Sequence, residues 1–579
     1  MKKVRLNKRG KQVVAAFFII LIIILMLLVF AGIKLYEKYS PTKERMSHED
    51  YFEMQSQDQV LIYLNDEKLD SNEIKVLVED GRCYLPREYV VDNLNCRFYK
   101  DIAGNYIMFT VADNIYSFAT DEAYYTDMSG NTVPTDYVVV KSEGDELYIA
   151  LDYIKEYTDL EYRFYEDPSR LLIWNEYPEK TYALLNKDTA IRFRGGIKSP
   201  IIADGQEGQE VEVLQDLEDW IEIRTEDGFM GYVSAKRVGE TYTKTMESTY
   251  VESAAPVSTK VNFKINLVFQ AIGTAAYGGE NVEEALEETK GVNVISPTWY
   301  KLTSNNGDMS SFANKSYVEQ CHSMGIQVWA LVDDFDPNID RLAILSNKET
   351  RARMINRLIS EAREYGFDGI NLDFEYITED VSEHYLQFIR ELSFECRKYG
   401  IILSTDNYAP ASYNMYYNRK EQGYWLDYFI IMGYDEYWKG SEVAGPVASI
   451  GFVENGITNT LLEVPAEKVI NAMPYYVRVW TQTLNTDGTT SMSTRDLSME
   501  GAANRLKENG VDLVWDEEKG VYYGSYESGK ETVQIWLEDE KTIEEKMKLY
   551  KANNLAGVAG WKLGLEKKEV WSVIENYLN

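Results

Sequence analysis

The sequence predicts a multidomain protein: a single N-terminal transmembrane helix, an α+β stalk domain, a small all-β barrel, and a C-terminal (β/α)8 barrel with an α+β insertion. Three observations predict it. At 579 residues the chain is too long for one hydrophobic core. An uncharged apolar run from Val13 to Ile33 is long enough to span a bilayer. Over residues 261–579, apolar strands alternate with amphipathic helices, the pattern of parallel strands joined by helical crossovers.

The N-terminal elements follow in order. Residues 1–12 carry Lys2, Lys3, Arg5, Lys8, Arg9 and Lys11, a basic segment ahead of the span at 13–35. Basic charge before the span predicts a single-pass cell-membrane protein, its N-terminus cytoplasmic and the rest extracellular. Cleavage of a signal near Ala31-Gly32 is the alternative. Residues 36–58 are polar and charged, fit for a spacer.

Residues 59–178 hold an internal echo. Cys83-Tyr84-Leu85-Pro86-Arg87-Glu88-Tyr89 with Cys96-Arg97-Phe98-Tyr99 is answered by Leu147-Tyr148-Ile149-Ala150-Leu151-Asp152-Tyr153 with Tyr162-Arg163-Phe164-Tyr165. Each half reads as strand, short helix, then strands, so the segment is a duplicated α+β stalk. Its layout resembles the stalk domain named after the N-terminal domain of copper amine oxidases, and implies a spacer or protein-contact module without copper. Over residues 180–240, Val211–Leu214, Trp220–Arg224 and Gly228–Val233 are short strands between Gly-rich turns. The W-x-x-I-x-x-x-x-G-x-x-G-Y-V arrangement is similar to bacterial Src-homology-3-like domains, which implies wall-peptide or protein contact. Trp220 and Tyr232 are expected in its core, with the lining of a groove as the alternative. Residues 241–260, rich in Thr, Ser, Ala and Val, read as a linker.

Composition excludes some functions. Lys and Arg total 60 against 94 Asp and Glu, a formal charge of −34. Nucleic acid is therefore not an expected partner, because phosphate backbones call for a basic footprint. The three His (His48, His322, His384) are not spaced as metal pairs, which argues against zinc or a His-dependent triad. The four Cys (Cys83, Cys96, Cys321, Cys396) are sparse and expected as free thiols, with a Cys83–Cys96 pair as the alternative.

In residues 261–579 the strands begin with Lys264–Phe269, Val292–Ser296 and Gln327–Val332, followed by Phe367–Glu375. Ile401–Thr405, Tyr428–Met432, Val469–Met473 and Gly557–Trp561 complete the set, which fits a TIM barrel with its active site at the carboxyl ends of the strands. Residues 480–535 are strand-like and Gly-rich, an inserted α+β lobe. Polar and aromatic groups gather at the strand ends: Pro297-Thr298-Trp299-Tyr300 after strand two, Asp333-Asp334 after three, Asp406-Asn407-Tyr408 after five, Met432-Gly433-Tyr434-Asp435 after six, Pro474-Tyr475-Tyr476 after seven, and Trp561 on strand eight. Aromatic platforms beside polar groups suit a sugar, whose apolar faces stack while its hydroxyls need partners.

The segment Phe367-Asp368-Gly369-Ile370-Asn371-Leu372-Asp373-Phe374-Glu375 carries acids where a core strand should carry none. Period-two alternation sends Ile370, Leu372 and Phe374 to one face and Asn371, Asp373 and Glu375 to the other. At roughly 3.3 Å per residue, Asp373 and Glu375 lie about 6.6 Å apart along the strand, close enough to influence one another. A solvated edge strand is the bland alternative. Carboxylates on an otherwise apolar buried strand are costly unless paired or used.

The segment resembles the D-G-x-[DN]-x-D-x-E signature of family 18 glycoside hydrolases, in the bacterial cell-wall and spore-cortex N-acetylglucosaminidase branch. Asn371 stands where many members carry Asp. The resemblance implies that Glu375 is the general acid and that Asp373 turns toward the substrate acetamide and stabilises its attack on the anomeric carbon. It implies supporting positions for Asn371 and Asp368; the parity of Asp368 makes its role structural. By the same resemblance Tyr434 and Asp435, in the M-x-Y-D run from Met432, bind the acetamide and the reacting sugar, and Trp561 forms a floor beneath it. Trp299, Asn407 and Tyr475 are expected along the cleft. The implied substrate is a cell-wall glycan containing N-acetylglucosamine, with no metal or organic cofactor. Chitin or N-glycans are the alternative substrates, and a non-catalytic glycan-binding protein is the alternative class.

Overall fold

A computed structural model describes residues 7–578 apart from 57, 71–72, 103–105, 253 and 274–281. Part of the basic segment at 1–12, namely residues 1–6, lies outside the described residues. The first element is a helix over Lys8–Tyr39, none of it buried and capped by the Asn7 side chain. Its 32 residues rise about 48 Å, more than the ~30 Å a bilayer core requires. The chain divides into two compact units: one of residues 1–96, 120–123 and 135–253, the other of residues 97–119, 124–134 and 254–579.

In the first unit, both arms of the sequence echo begin as strand then helix. Arg82–Pro86 leads into Arg87–Asn93, and Glu146–Ala150 leads into Leu151–Glu156. The two strands pair antiparallel, with Ile149 opposite Leu85. Residues 179–245 form a seven-stranded antiparallel sheet around Leu185, Ile191, Val211, Ile223 and Val233. Trp220 and Tyr232 were expected inside this core but are half-buried on its other side, both against Gly195. Their parity explains it, since Ile221, Ile223 and Val233 take the inward positions. The last strand, Val238–Thr245, runs into the stretch that composition marks as linker. All four Cys are free thiols.

The second unit holds a closed parallel barrel. Its strands are β1 (Ile265–Gln270), β2 (Val294–Leu302), β3 (Gln327–Asp333), β4 (Gly369–Asp373), β5 (Ile402–Tyr408), β6 (Tyr428–Met432), β7 (Val469–Pro474) and β8 (Gly557–Trp561). Each pairs in parallel with its successor, and β1 pairs with β8 to close the ring. Strand parity builds two cores. Leu267, Val294, Trp329, Leu331, Ile430 and Ala559 fill the interior, while Ile370, Leu372, Phe374, Leu403 and Ile431 pack outward against the helices.

Local signals set the entry to β4. The helix Lys348–Tyr365 starts at Asn347, whose side chain accepts from Glu349 and Thr350 N–H groups. It ends at Gly366, whose left-handed φ of 81° releases the chain directly into the strand. Gly369 opens β4 because the interior there is already filled: a Cβ would lie 2.8 Å from the Trp329 indole.

Between β7 and β8 a five-stranded antiparallel lobe spans Tyr476–Leu537, with the helix Met499–Glu508 packed on it. A second five-stranded sheet of this unit is built from Phe98–Asp101, Tyr106–Val111, Asn114–Ala119, Tyr124–Thr126 and Thr132–Pro134. The stretch 59–178, read as one stalk, is thus shared between the two units. The sheet is held to the barrel's helices by buried polar contacts. Arg97 and Arg390 both donate to Glu421, at 3.1 and 2.8 Å, and Tyr99 bonds His384 Nδ1 at 2.8 Å. Burial pushes the Glu421 carboxyl up, but Arg390 and Arg97 outweigh it and hold it at about 2.

Candidate active site

The inner face of β4 carries Asn371 and Asp373, fully buried and 4% exposed respectively, and Glu375 follows just beyond the strand, half-buried at the barrel mouth. Ile370, Leu372 and Phe374 occupy the opposite face, as the alternation requires. Asp368 sits at the other end of the strand. There it accepts the Val328 N–H at 2.8 Å and contacts His322 Nε2 at 2.9 Å, bracing β3 against β4 away from the mouth.

Neighbouring strands complete the constellation. Asp334, fully buried, accepts the backbone N–H groups of Glu375 at 2.9 Å and Tyr376 at 3.2 Å, and is held by Arg341 Nε at 3.2 Å. The backbone beneath Glu375 is therefore fixed from β3. From β5, the Tyr408 hydroxyl donates to Glu375 Oε2. Asp406, also on β5, accepts from Asn371 Nδ2 at 2.6 Å, and Ser404 Oγ donates to Asn371 Oδ1 at 2.7 Å.

Beyond β6, Tyr434 packs against both cores, and Asp435 adopts a left-handed φ of 60°. A non-glycine residue in that region is strained by about 1–3 kcal/mol, a cost that clusters at functional sites. Asp435 is held by the Tyr476 hydroxyl and by Arg478 at 2.9 Å, both from the inserted lobe. Those two bonds tie the lobe to the barrel mouth, and within the lobe Asp496 accepts from Arg478 at 2.9 Å and fixes its guanidinium. Trp561, half-buried on β8, leans on Phe269 with ring centroids 5.4 Å apart, and Met432 is buried at the end of β6.

Three residues expected along the cleft do not reach it. Trp299 is fully buried in the helix-facing core, against Tyr317 and Phe367, because β2 turns it outward. Asn407 also points outward, and bonds Thr405 and Gln422 at 2.8 and 3.1 Å. Tyr475 is fully buried against Trp571 and lies over Gly560. Asp334, Asp406, Tyr408 and Tyr476 stand at strand ends in the sequence but were given no individual role there, and Arg478 was missed. Counting by twos from Ser404 selects Asp406 and Tyr408 over Asn407, so that signal was present in the sequence.

The electrostatics favour neutral acids. Burial first, then the repulsion of Asp406 and Glu375, drives the Asp373 carboxyl well above its ordinary value. Burial also raises Glu375, opposed by the Tyr408 hydrogen bond and reinforced by Asp334 and Asp435. Asp333, on the inner face beside Asp373, is raised by burial as well. A carboxyl kept protonated at the mouth of a parallel barrel is equipped to donate a proton to a bound substrate.

A closed parallel barrel with buried acids at the carboxyl end of its fourth strand places those acids where barrel enzymes hold their active sites. Residues 339–566 match the model of Glycosyl hydrolases family 18, and the chain carries a domain of that family. Among similar curated proteins is the Cortical fragment-lytic enzyme of Bacillus subtilis (strain 168), 29% identical over 250 residues, which cover 41% of this chain and 56% of that protein. Endochitinase 1 of Metarhizium anisopliae is 27% identical over 256 residues, 40% of this chain and 60% of that one. The chain thus spans less than two thirds of the length of either relative. Among solved structures, the C-terminal domain of a candidate chitinase from Desulfitobacterium hafniense DCB-2 superposes with a TM-score of 0.50 and 19% identity, over 55% of this chain and 100% of that one. That likeness is one of fold.

Proposed function

We propose that the protein is a membrane-anchored retaining glycoside hydrolase that cleaves glycans containing 2-acetamido sugars, peptidoglycan foremost. The observation that carries this is the pairing of Asp373 and Glu375 on the inner side of β4, both raised toward their neutral forms by burial. Glu375 protonates the glycosidic oxygen while the substrate's own acetamide oxygen attacks the anomeric carbon. Family 18 is an exception to the usual pair of protein carboxylates, which is why one acid and one helper are sufficient. Asp373 stabilises the positive charge that develops on the acetamide. Water then opens the intermediate, with Glu375 acting as base, and configuration is retained. Tyr434, Asp435 and Trp561 line the reacting sugar, and Met432 backs them.

Peptidoglycan is favoured by the kinship with a cortical fragment-lytic enzyme and by the apolar helix Lys8–Tyr39, which would hold the barrel near the wall. Kinship with a fungal endochitinase favours chitin as the second substrate. The full chain, purified in detergent, should release reducing ends from purified peptidoglycan, and Glu375→Gln should abolish the release. Faster release from chitin oligomers would move the assignment to chitin. Sugar binding without release by the unaltered protein would leave a wall-binding protein.

A further inference from the structure

Resting on that reading of the site, we propose that Asp406 is a positioning residue for the reaction. It holds the proton that Asp373 gives up when Asp373 turns toward the substrate acetamide.

The register of the sheet places the two acids together. β4 and β5 run parallel, with Asn371 opposite Ser404 and Leu372 opposite Thr405, so the next step sets Asp373 beside Asp406. Parallel neighbours lie about 4.8 Å apart, and both residues face the barrel interior. Asp373 is 4% exposed and Asp406 3%. Among the described residues, the Oδ1 atom of each is buried without a hydrogen-bond partner.

Asn371 fixes which oxygen of Asp406 holds a proton. Its Oδ1 accepts from Ser404, so its Nδ2 faces Asp406 Oδ2 at 2.6 Å and donates to it. Oδ2 is thereby an acceptor, and the proton belongs on Oδ1.

The surroundings do not allow both acids to ionise. Asp333 and Asp334 face the pair from β3, Glu375 from the end of β4 and Tyr408 from β5. Tyr434 faces it from beyond β6, and Tyr385 from the helix Glu379–Tyr399, while Asp435 faces Glu375. These groups are acidic or neutral. The nearby cations are engaged elsewhere, Arg341 on Asp334 and Lys301 on Asp333. Two carboxyl groups so placed share one proton, as in other buried acid pairs. When Asp373 turns outward, the O–H bond on its carboxyl breaks and one forms on Asp406 Oδ1. Asp373 then meets the developing positive charge as a carboxylate, with no proton exchanged with solvent.

The test pairs kinetics with a titration that needs no substrate. Asp406→Asn keeps the shape and removes the proton site. Its kcat on peptidoglycan should fall at least tenfold with KM within twofold, and the pH profile of kcat should change. Asn371→Asp combined with Asp406→Asn, which moves the carboxyl across the same hydrogen bond, should recover a large part of kcat. In infrared titration of the full chain, the carbonyl band of a protonated buried carboxyl should persist at neutral pH. In Asp406→Asn it should disappear at lower pH, because Asp373 no longer faces a second acid. Should Asp406→Asn not fold, Asp373→Asn reads the same pair through an earlier titration of Asp406. An unmoved infrared titration, or unchanged kcat and pH profile, would overturn the proposal. Because the infrared arm is independent of hydrolysis, failure of the enzyme to cut any glycan would leave it to be decided on its own.

Discussion

Tyr408 donates its hydroxyl to Glu375 Oε2, and a donor to a carboxyl group favours the ionised form. Removing it must raise a group that burial has already raised. A general acid works below its pKa, so the rate falls as pH rises through that value. In Tyr408→Phe the falling limb of kcat/KM should therefore move to higher pH; a limb that stays or moves down would contradict this assignment of Glu375. Asp373 makes a matching statement about stability. Its folded pKa is raised, so its contribution is fully present below the unfolded value of about 3.9 and is lost as pH rises through the folded one. Asp373→Asn escapes that loss. Its melting temperature should exceed that of the unaltered protein at pH 7, with the gap closing below about pH 4.

At the scale of elements, Glu421 joins the sheet over residues 98–134 to the helices of the barrel. Its folded carboxyl lies at about 2, below the unfolded value of about 4.3. The stability it contributes is present above the unfolded value and lost as pH falls toward 2. Glu421→Ala removes the carboxylate shared by Arg97 and Arg390, and should destabilise this unit by about 3–5 kcal/mol in denaturant unfolding at pH 7. The eight strands were legible because strands buried on both faces are continuous apolar runs, and β6 was placed at its observed bounds, Tyr428–Met432. The acids of β4 were legible because they interrupt such a run. Trp299, Asn407 and Tyr475 were misplaced for one reason: residue type suggests a site, but parity decides which core a side chain enters. The grip of Asp334 on the Glu375 backbone was not legible, since it depends on which two strands the fold sets side by side.

For the whole molecule, composition could mark a linker near residues 241–260 but could not show that a strand block before it belongs with the barrel. Residues 97–119 and 124–134 cluster with residues 254–579. A chain begun at Ala254 should consequently unfold several degrees below the barrel transition of the full protein in calorimetry. Equal melting would show the sheet to be dispensable. In the proposed reaction the whole molecule serves a substrate that supplies its own nucleophile. The most direct measurement compares chitin oligomers with their fully deacetylated counterparts and follows the anomeric configuration of fresh product by NMR. Cleavage of the acetylated oligomer alone, with configuration retained, is the expected result. Inverted product, or equal cleavage of the deacetylated oligomer, would contradict it.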